Sequence, residues 1–430
     1  MRYIEAWNGV GMSVSKVLLG VAEKLRPVLV KVIPQSVLTR VKAGVVTREA
    51  KAIEGISLEA YDRKRFPDGV NLIGDIRVDT GLGQSMRYVS DILDNAGVDN
   101  LIYNYYVPPG YNMTDHSCDS KIADSLKYNV NIFHINASEM AVGFMDLGRQ
   151  FWDGHYNIGF WVWEMQEFPE EWLPAFSLVD EIWTPSDFVS DIFRKYTDKP
   201  VYTVPFPVSA ATDDKYDREY FGLPDDRFLY MMMYDGGSGM PRKNPGAVLE
   251  SYRKAFGKDR KDVALVVKLK ENSDKDIEYI RSIMSGYEVY FIDRNLSRVE
   301  VNSLIKCADV YVSLHRSEGF GLTCAEAMVV GTPVIATDWS ATTQFMDKSS
   351  ACMVDCRLVS LDRDMLPFKK GYKWAEADTD CAAGFMKRLV DDREFYDIIK
   401  CNALVYVHDK LNMERSVSIV KERLDSIINT

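Results

Sequence analysis

From residue 69 onward the chain twice runs through short apolar stretches separated by amphipathic ones, and this alternation most constrains its fold. A strand that is apolar along its length must be covered on both faces. A βαβ succession does this, so the pattern calls for parallel sheets flanked by helices. In the first series, residues 70–75, 129–134 and 156–163 read as strands, and residues 201–207 close it. The second series reads as strands over 228–234, 263–267, 289–292, 310–314 and 333–336. A polar stretch, 209–226, separates the two. The expected fold class is α/β: two doubly wound domains facing each other across a cleft. Ligands of such sheets sit beyond the carboxyl ends of the strands, so the loops there carry the candidate site.

Charge narrows the function. The 430 residues include 52 Lys and Arg against 63 Asp and Glu, for a net charge of −11, which argues against nucleic acid as a partner. Residues 1–51 run the other way, with nine Lys or Arg and three Glu, a net of +6. There Val14, Val17, Leu18, Val21 and Leu25 recur at helical spacing, with Lys16, Lys24 and Arg26 between them. Such a basic amphipathic arm suits an anionic membrane surface, and it equally suits packing on its own protein or on a partner. Seven cysteines with no Cys-x-x-Cys pair suit a reduced, cytoplasmic setting. The start of the chain does not read as a signal peptide, and no apolar run reaches the roughly 20 residues of a bilayer crossing.

The densest segment follows the 310–314 strand: Glu318-Gly319-Phe320-Gly321-Leu322-Thr323, then Glu326, then Gly331-Thr332-Pro333. Its glycines let backbone approach a ligand, and the helix that follows offers unpaired N–H groups and a positive dipole end. That combination binds anions. Glu318 and Glu326 could both face the cleft as hydroxyl acceptors. Thr323 and Glu326 equally spell a helix-capping box with no ligand at all.

Taken with Arg242-Lys243-Asn244-Pro245, this Glu-x7-Glu segment resembles the retaining "group 1" glycosyltransferases of the GT-B fold. The likeness is dense over about 228–346 and looser over 69–205. It implies two Rossmann-like domains, an acceptor-side one over 52–208 and a nucleotide-sugar one over 227–395. The linker would span 209–226, and a helix over 396–430 would cross back to the first domain. It further implies that Glu326 takes the ribose hydroxyls and Glu318 those of the donor sugar. Arg242, Lys243 and Lys268 would neutralise the diphosphate, with Lys270 as an alternative to Lys268. Backbone of Gly319, Phe320, Gly321, Leu322 and Thr323 would lie against sugar and phosphates.

In the first domain, Asp79-Thr80-Gly81-Leu82-Gly83 fails as a dinucleotide fingerprint, because Met86 stands at the third glycine position. By resemblance, Gly81 and Gly83 approach the donor, and His134 at a strand end lines the reaction centre. Trp161, Trp163 and Glu164 are candidates on the acceptor side. The implied activity is retaining transfer of a hexose from a nucleoside diphosphate sugar to a glycan or lipid-linked acceptor, in surface polysaccharide synthesis. Neither metal nor cofactor is implied; the nucleotide sugar is a co-substrate. The alternatives are a catalytically silent nucleotide-sugar-binding subunit, or a GT-B phosphorylase or epimerase.

Overall fold

The computed structural model describes Gly44 and residues 48–105, 113–234, 240–269 and 274–429. Most of the basic arm, the Gly236–Gly239 stretch and Lys270 lie outside the described residues. The first sheet holds β1 (Val70–Gly74), β2 (Asn100–Asn104), β3 (Val130–His134), β4 (Tyr156–Phe160), β5 (Glu181–Thr184) and β6 (Val201–Thr203). Their order is β2-β1-β3-β4-β5-β6, parallel throughout. The second sheet holds β7 (Phe228–Tyr234), β8 (Val263–Leu269), β9 (Val289–Ile292), β10 (Val310–Ser313), β11 (Val334–Thr337) and β12 (Cys352–Val354). Its order is β12-β11-β10-β7-β8-β9, also parallel. An antiparallel hairpin, β13 (Cys356–Ser360) and β14 (Lys373–Ala377), stands apart from both.

The helices that bear on the site are α1 (Gly81–Asn95), α2 (Ala137–Leu147), α3 (Asp187–Phe193), α4 (Pro245–Ala255), α5 (Asp274–Ile283), α6 (Arg298–Cys307) and α7 (Leu322–Val329). Three more, α8 (Thr379–Asp391), α9 (Arg393–Lys410) and α10 (Met413–Ile428), close the chain. Strand β6 is shorter than the apolar run 201–207 suggests, because Pro205 and Pro207 have no N–H to give a ladder. The hairpin, β2, β5 and β12 have no counterpart among the apolar runs. β13 in particular is too exposed to read as a buried strand.

Three buried asparagines pin the first sheet. Asn71, Asn131 and Asn157 stand side by side on β1, β3 and β4. Asn71 Nδ2 donates to Asn131 Oδ1 at 2.9 Å, and Asn131 Nδ2 to Asn157 Oδ1 at 2.9 Å. A slip of one residue would bury these amides unpaired, so the ladder specifies register.

The last helix crosses to the first domain. α10 packs on α1, and Ser416 Oγ donates to Pro205 O at 2.8 Å. Arg423 reaches Glu181 at 2.6 Å, and Glu181 also accepts from Tyr156 OH at 2.9 Å and Trp183 Nε1 at 2.6 Å. Glu181 is wholly buried, with that guanidinium beside it as a partner. Arg423→Ala should cost about 3 kcal/mol, the scale of stranding one member of a buried pair, read as a lower urea midpoint. A midpoint unchanged from wild type would show that the clamp is idle.

Candidate functional site

Strands β7 and β10 are neighbours, so the segments leaving their carboxyl ends meet. After β7 comes a single helical turn, Met240–Lys243, which ends at Asn244 in the left-handed region (φ 54°). After β10 comes the glycine turn. Arg242 Nη1 donates to Ser317 O at 2.8 Å and stands 3.1 Å from Glu318 Oε2. Lys243 Nζ is 2.6 Å from Glu318 Oε1. The backbone N–H of Glu318 donates to Ser340 Oγ at 2.9 Å. Burial alone would raise the Glu318 carboxyl, but Lys243 and Arg242 outweigh it and hold it well below the usual carboxylate range.

The first domain closes over this cluster. Glu164, just past β4, places Oε1 3.6 Å from Arg242 Nη2, and Ser317 Oγ donates to Glu164 O. Ser186 Oγ donates to Gly319 O at 2.7 Å. A Cβ on Gly319 would lie 2.6 Å from Val162 Cγ1 and 2.9 Å from Trp163 O, so only glycine permits this approach. Phe320 is buried at the seam, its ring 4.9 Å from Phe206 and 5.3 Å from Phe345. Gly321 has φ +92° and caps α7 with no side-chain hydrogen bond. The capping box does not form. Instead Thr323 Oγ1 accepts from Tyr311 OH at 3.0 Å, and the first-turn N–H groups of α7 receive no side-chain cap.

Other expected residues sit differently. Glu326 is fully buried and ion-paired with Arg298 at the start of α6, so it does not stand open to the cleft. Lys268 is 3% exposed and donates to Leu269 O at 2.6 Å and Arg294 O at 2.9 Å, which engages its ammonium at the rim of β8 and β9. Trp161 is sealed among Phe176 and Phe193, and Trp163 Nε1 donates to Glu167 O at 2.7 Å. Both rings are core, so neither offers a face to a sugar.

His134 ends β3, stacked 5.2 Å from Phe160, with Nε2 2.9 Å from Ser85 Oγ. The Ser85 hydroxyl also reaches Leu82 O at 2.7 Å, which ties the imidazole to the first turn of α1. Burial pushes the imidazole down to about 4, so it is neutral at pH 7. The two glycines of the 79–83 loop differ. A Cβ on Gly83 would lie 2.1 Å from Val78 O, whereas one on Gly81 would meet nothing within 4 Å. Gly83 is required by the fold, and Gly81 faces open space. His315 is buried against Thr342 and serves packing. Arg298, Ser186, Ser317 and Ser340 carry no spacing that marks them in the sequence, since their partners are distant in the chain.

Two parallel six-stranded Rossmann-like sheets facing one another, with a C-terminal helix returned to the first, make this a GT-B fold. Within it, residues 224–347, from just before β7 to beyond β11, match the family of glycosyl transferases group 1. No curated protein matches the chain. Among solved structures, it is similar to HepE of Anabaena in complex with UDP-glucose (TM-score 0.61, 11% identity, 83% of this chain and 100% of that one). It is also similar to sucrose-phosphate synthase of Thermosynechococcus elongatus (TM-score 0.61, 15% identity, 84% and 99%). A third is a glycosyltransferase from Rickettsia africae (TM-score 0.59, 11% identity, 84% and 99%). At these identities the likeness is one of fold.

The Glu318 pair has a testable pH signature. Its folded value lies below the ordinary 4.5, so the stabilisation is complete above that pH and drains away as pH falls beneath it. Glu318→Gln should lower the urea midpoint at neutral pH, and that difference should begin to shrink below about pH 4.5 and go on shrinking as the pH falls toward the depressed folded value. A difference as large at the acid end as at neutrality would contradict the ion pairing.

Proposed function

We propose that the chain is a metal-independent glycosyltransferase. It moves a hexose from a nucleoside diphosphate sugar to a glycan or lipid-linked acceptor, with retained anomeric configuration, in surface polysaccharide synthesis. The observation that carries this is the meeting of Arg242 and Lys243 with Glu318 at adjoining strand ends, 3.1 and 2.6 Å apart, beneath the loops of the first domain. A nucleoside diphosphate leaving group gains charge as the C1–O bond breaks. Fixed cations and the uncapped start of α7 stabilise that charge in place. The acceptor oxygen forms the new bond to C1, and its proton passes to the departing phosphate oxygen, so no enzyme nucleophile is needed. Retention follows when both events use one face of the sugar.

Glu318, kept ionised, accepts from hydroxyls of the donor ring. Glu326 accepts from the ribose once Arg298 swings aside. His134, neutral, lines the centre from the first domain, and the open space at Gly81 admits the diphosphate. Lys268 stays with its carbonyls and lends only long-range charge. UDP-glucose is the first donor to test, since HepE was solved with it. Replacing Arg242 and Lys243 together with alanine should weaken UDP binding about 100-fold, as two charge-assisted contacts are lost. Calorimetric titration reads this. Unchanged affinity ends the phosphate assignment, and turnover that a chelator abolishes and magnesium restores ends metal independence. A wild-type chain that binds UDP-sugars yet neither transfers nor slowly hydrolyses them would favour the silent binding subunit instead.

The arm over 1–51 is the part of this proposal that concerns location. Its +6 on an otherwise acidic chain would hold the enzyme at the inner face of the membrane, where lipid-linked acceptors lie. Replacing Lys16, Lys24 and Arg26 with glutamine in the full chain should reduce flotation with anionic liposomes. Equal flotation would remove the membrane role.

A further inference from the structure

Arg316 sits two residues before Glu318, and nothing in the sequence motif assigns it a task. Its backbone N–H donates to Arg242 O at 2.8 Å, and its Nη1 donates to Pro241 O. One residue therefore holds two consecutive carbonyls of the turn that carries Arg242 and Lys243. The other edge of the guanidinium is bidentate to Glu376 on β14, with Nε to Oε2 at 2.9 Å and Nη2 to Oε1 at 3.0 Å. Its face lies 4.8 Å over the Trp374 ring, and Ala375 N donates back to Arg316 O at 2.9 Å. A planar fork stacked and bonded on both edges has one orientation left.

The hairpin that grips Arg316 is itself anchored on the first domain. Lys369 pairs with Glu171 at 2.5 Å, and the Lys373 N–H donates to Glu167 Oε2 at 3.2 Å. The Phe368 ring lies 5.7 Å from Trp163. Leu361, Phe368 and Trp374 share one apolar cluster with Phe168 and Phe176. The hairpin thus straps the two domains together on the side where the donor loops meet.

We infer that Arg316 is a positioning residue for the donor diphosphate. It sets the Pro241–Lys243 turn from a hairpin that lies beyond the segment matching the family, so residues 356–377 belong to the donor site. The inference rests on the proposed donor site. It specifies that the strap acts through the Pro241 and Arg242 carbonyls rather than by docking alone.

Titration of the full chain with UDP, GDP and dTDP tests it, alongside thermal melting and the kcat and KM of donor hydrolysis. Arg316→Ala should weaken the preferred diphosphate about 10- to 100-fold and raise donor KM in proportion. Arg316→Lys, which keeps the charge and loses the fork, should recover part of that loss and serves in its place if the alanine variant does not fold. The swap of Arg316→Glu with Glu376→Arg restores the hairpin pair without the bond to Pro241, so it should bind as weakly as Arg316→Ala. A folded Arg316→Ala that binds like wild type overturns the inference and leaves the donor site standing. So does a swap that regains full affinity, since docking alone would then suffice. A wild-type chain that binds none of the three diphosphates overturns both.

Discussion

A carboxylate buried at the joint between two domains needs cations beside it, and this necessity organises the molecule around Glu318. An isolated ionised carboxyl there would shed its charge. Arg242 and Lys243 prevent that, but only because the turn after β7 lies against the turn after β10. The sheet order places those strands together, Arg316 sets the height of the turn, and Glu164 meets Arg242 from across the seam. Two cations are thereby held against two carboxylates at the joint.

The seam is narrow because its residues are small or short. Gly319 admits Val162 and Trp163 at distances no side chain would allow. Ser186 and Ser317 bridge the domains by single hydroxyls onto carbonyls, while Phe206 and Phe320 provide the apolar contact behind them. Around the Glu318 cluster the contact is thus a few directional bonds beside one aromatic pair, while the 356–377 hairpin adds a second apolar contact through Phe368 and Trp163.

Much of this was legible from the amino-acid order. The apolar runs announced most of the strands, since parallel strands buried on both faces leave an unmistakable period. The Glu318–Glu326 segment with Arg242 and Lys243 announced which loops would meet. What stayed hidden depends on long-range pairing. Asn71 looks like a flaw in an apolar strand until Asn131 and Asn157 are seen beside it. Arg298 and Arg316 look like ordinary surface cations, and Lys268 like a free one, until their carboxylates and carbonyls are placed. Trp161 and Trp163 suggested sugar stacking because composition alone cannot distinguish a core ring from an exposed one.

The return of α10 carries a consequence for biogenesis. Glu181 finds Arg423 across 242 positions of chain, long after its own strand has been made. While the ribosome is still working, the amino-terminal half holds a carboxylate whose counter-charge has not yet been made. That acid gains its partner only once α10 has been made and docks. Completion of the first domain is thus coupled to synthesis of α10, and a chain lacking that helix would leave Glu181 without its guanidinium.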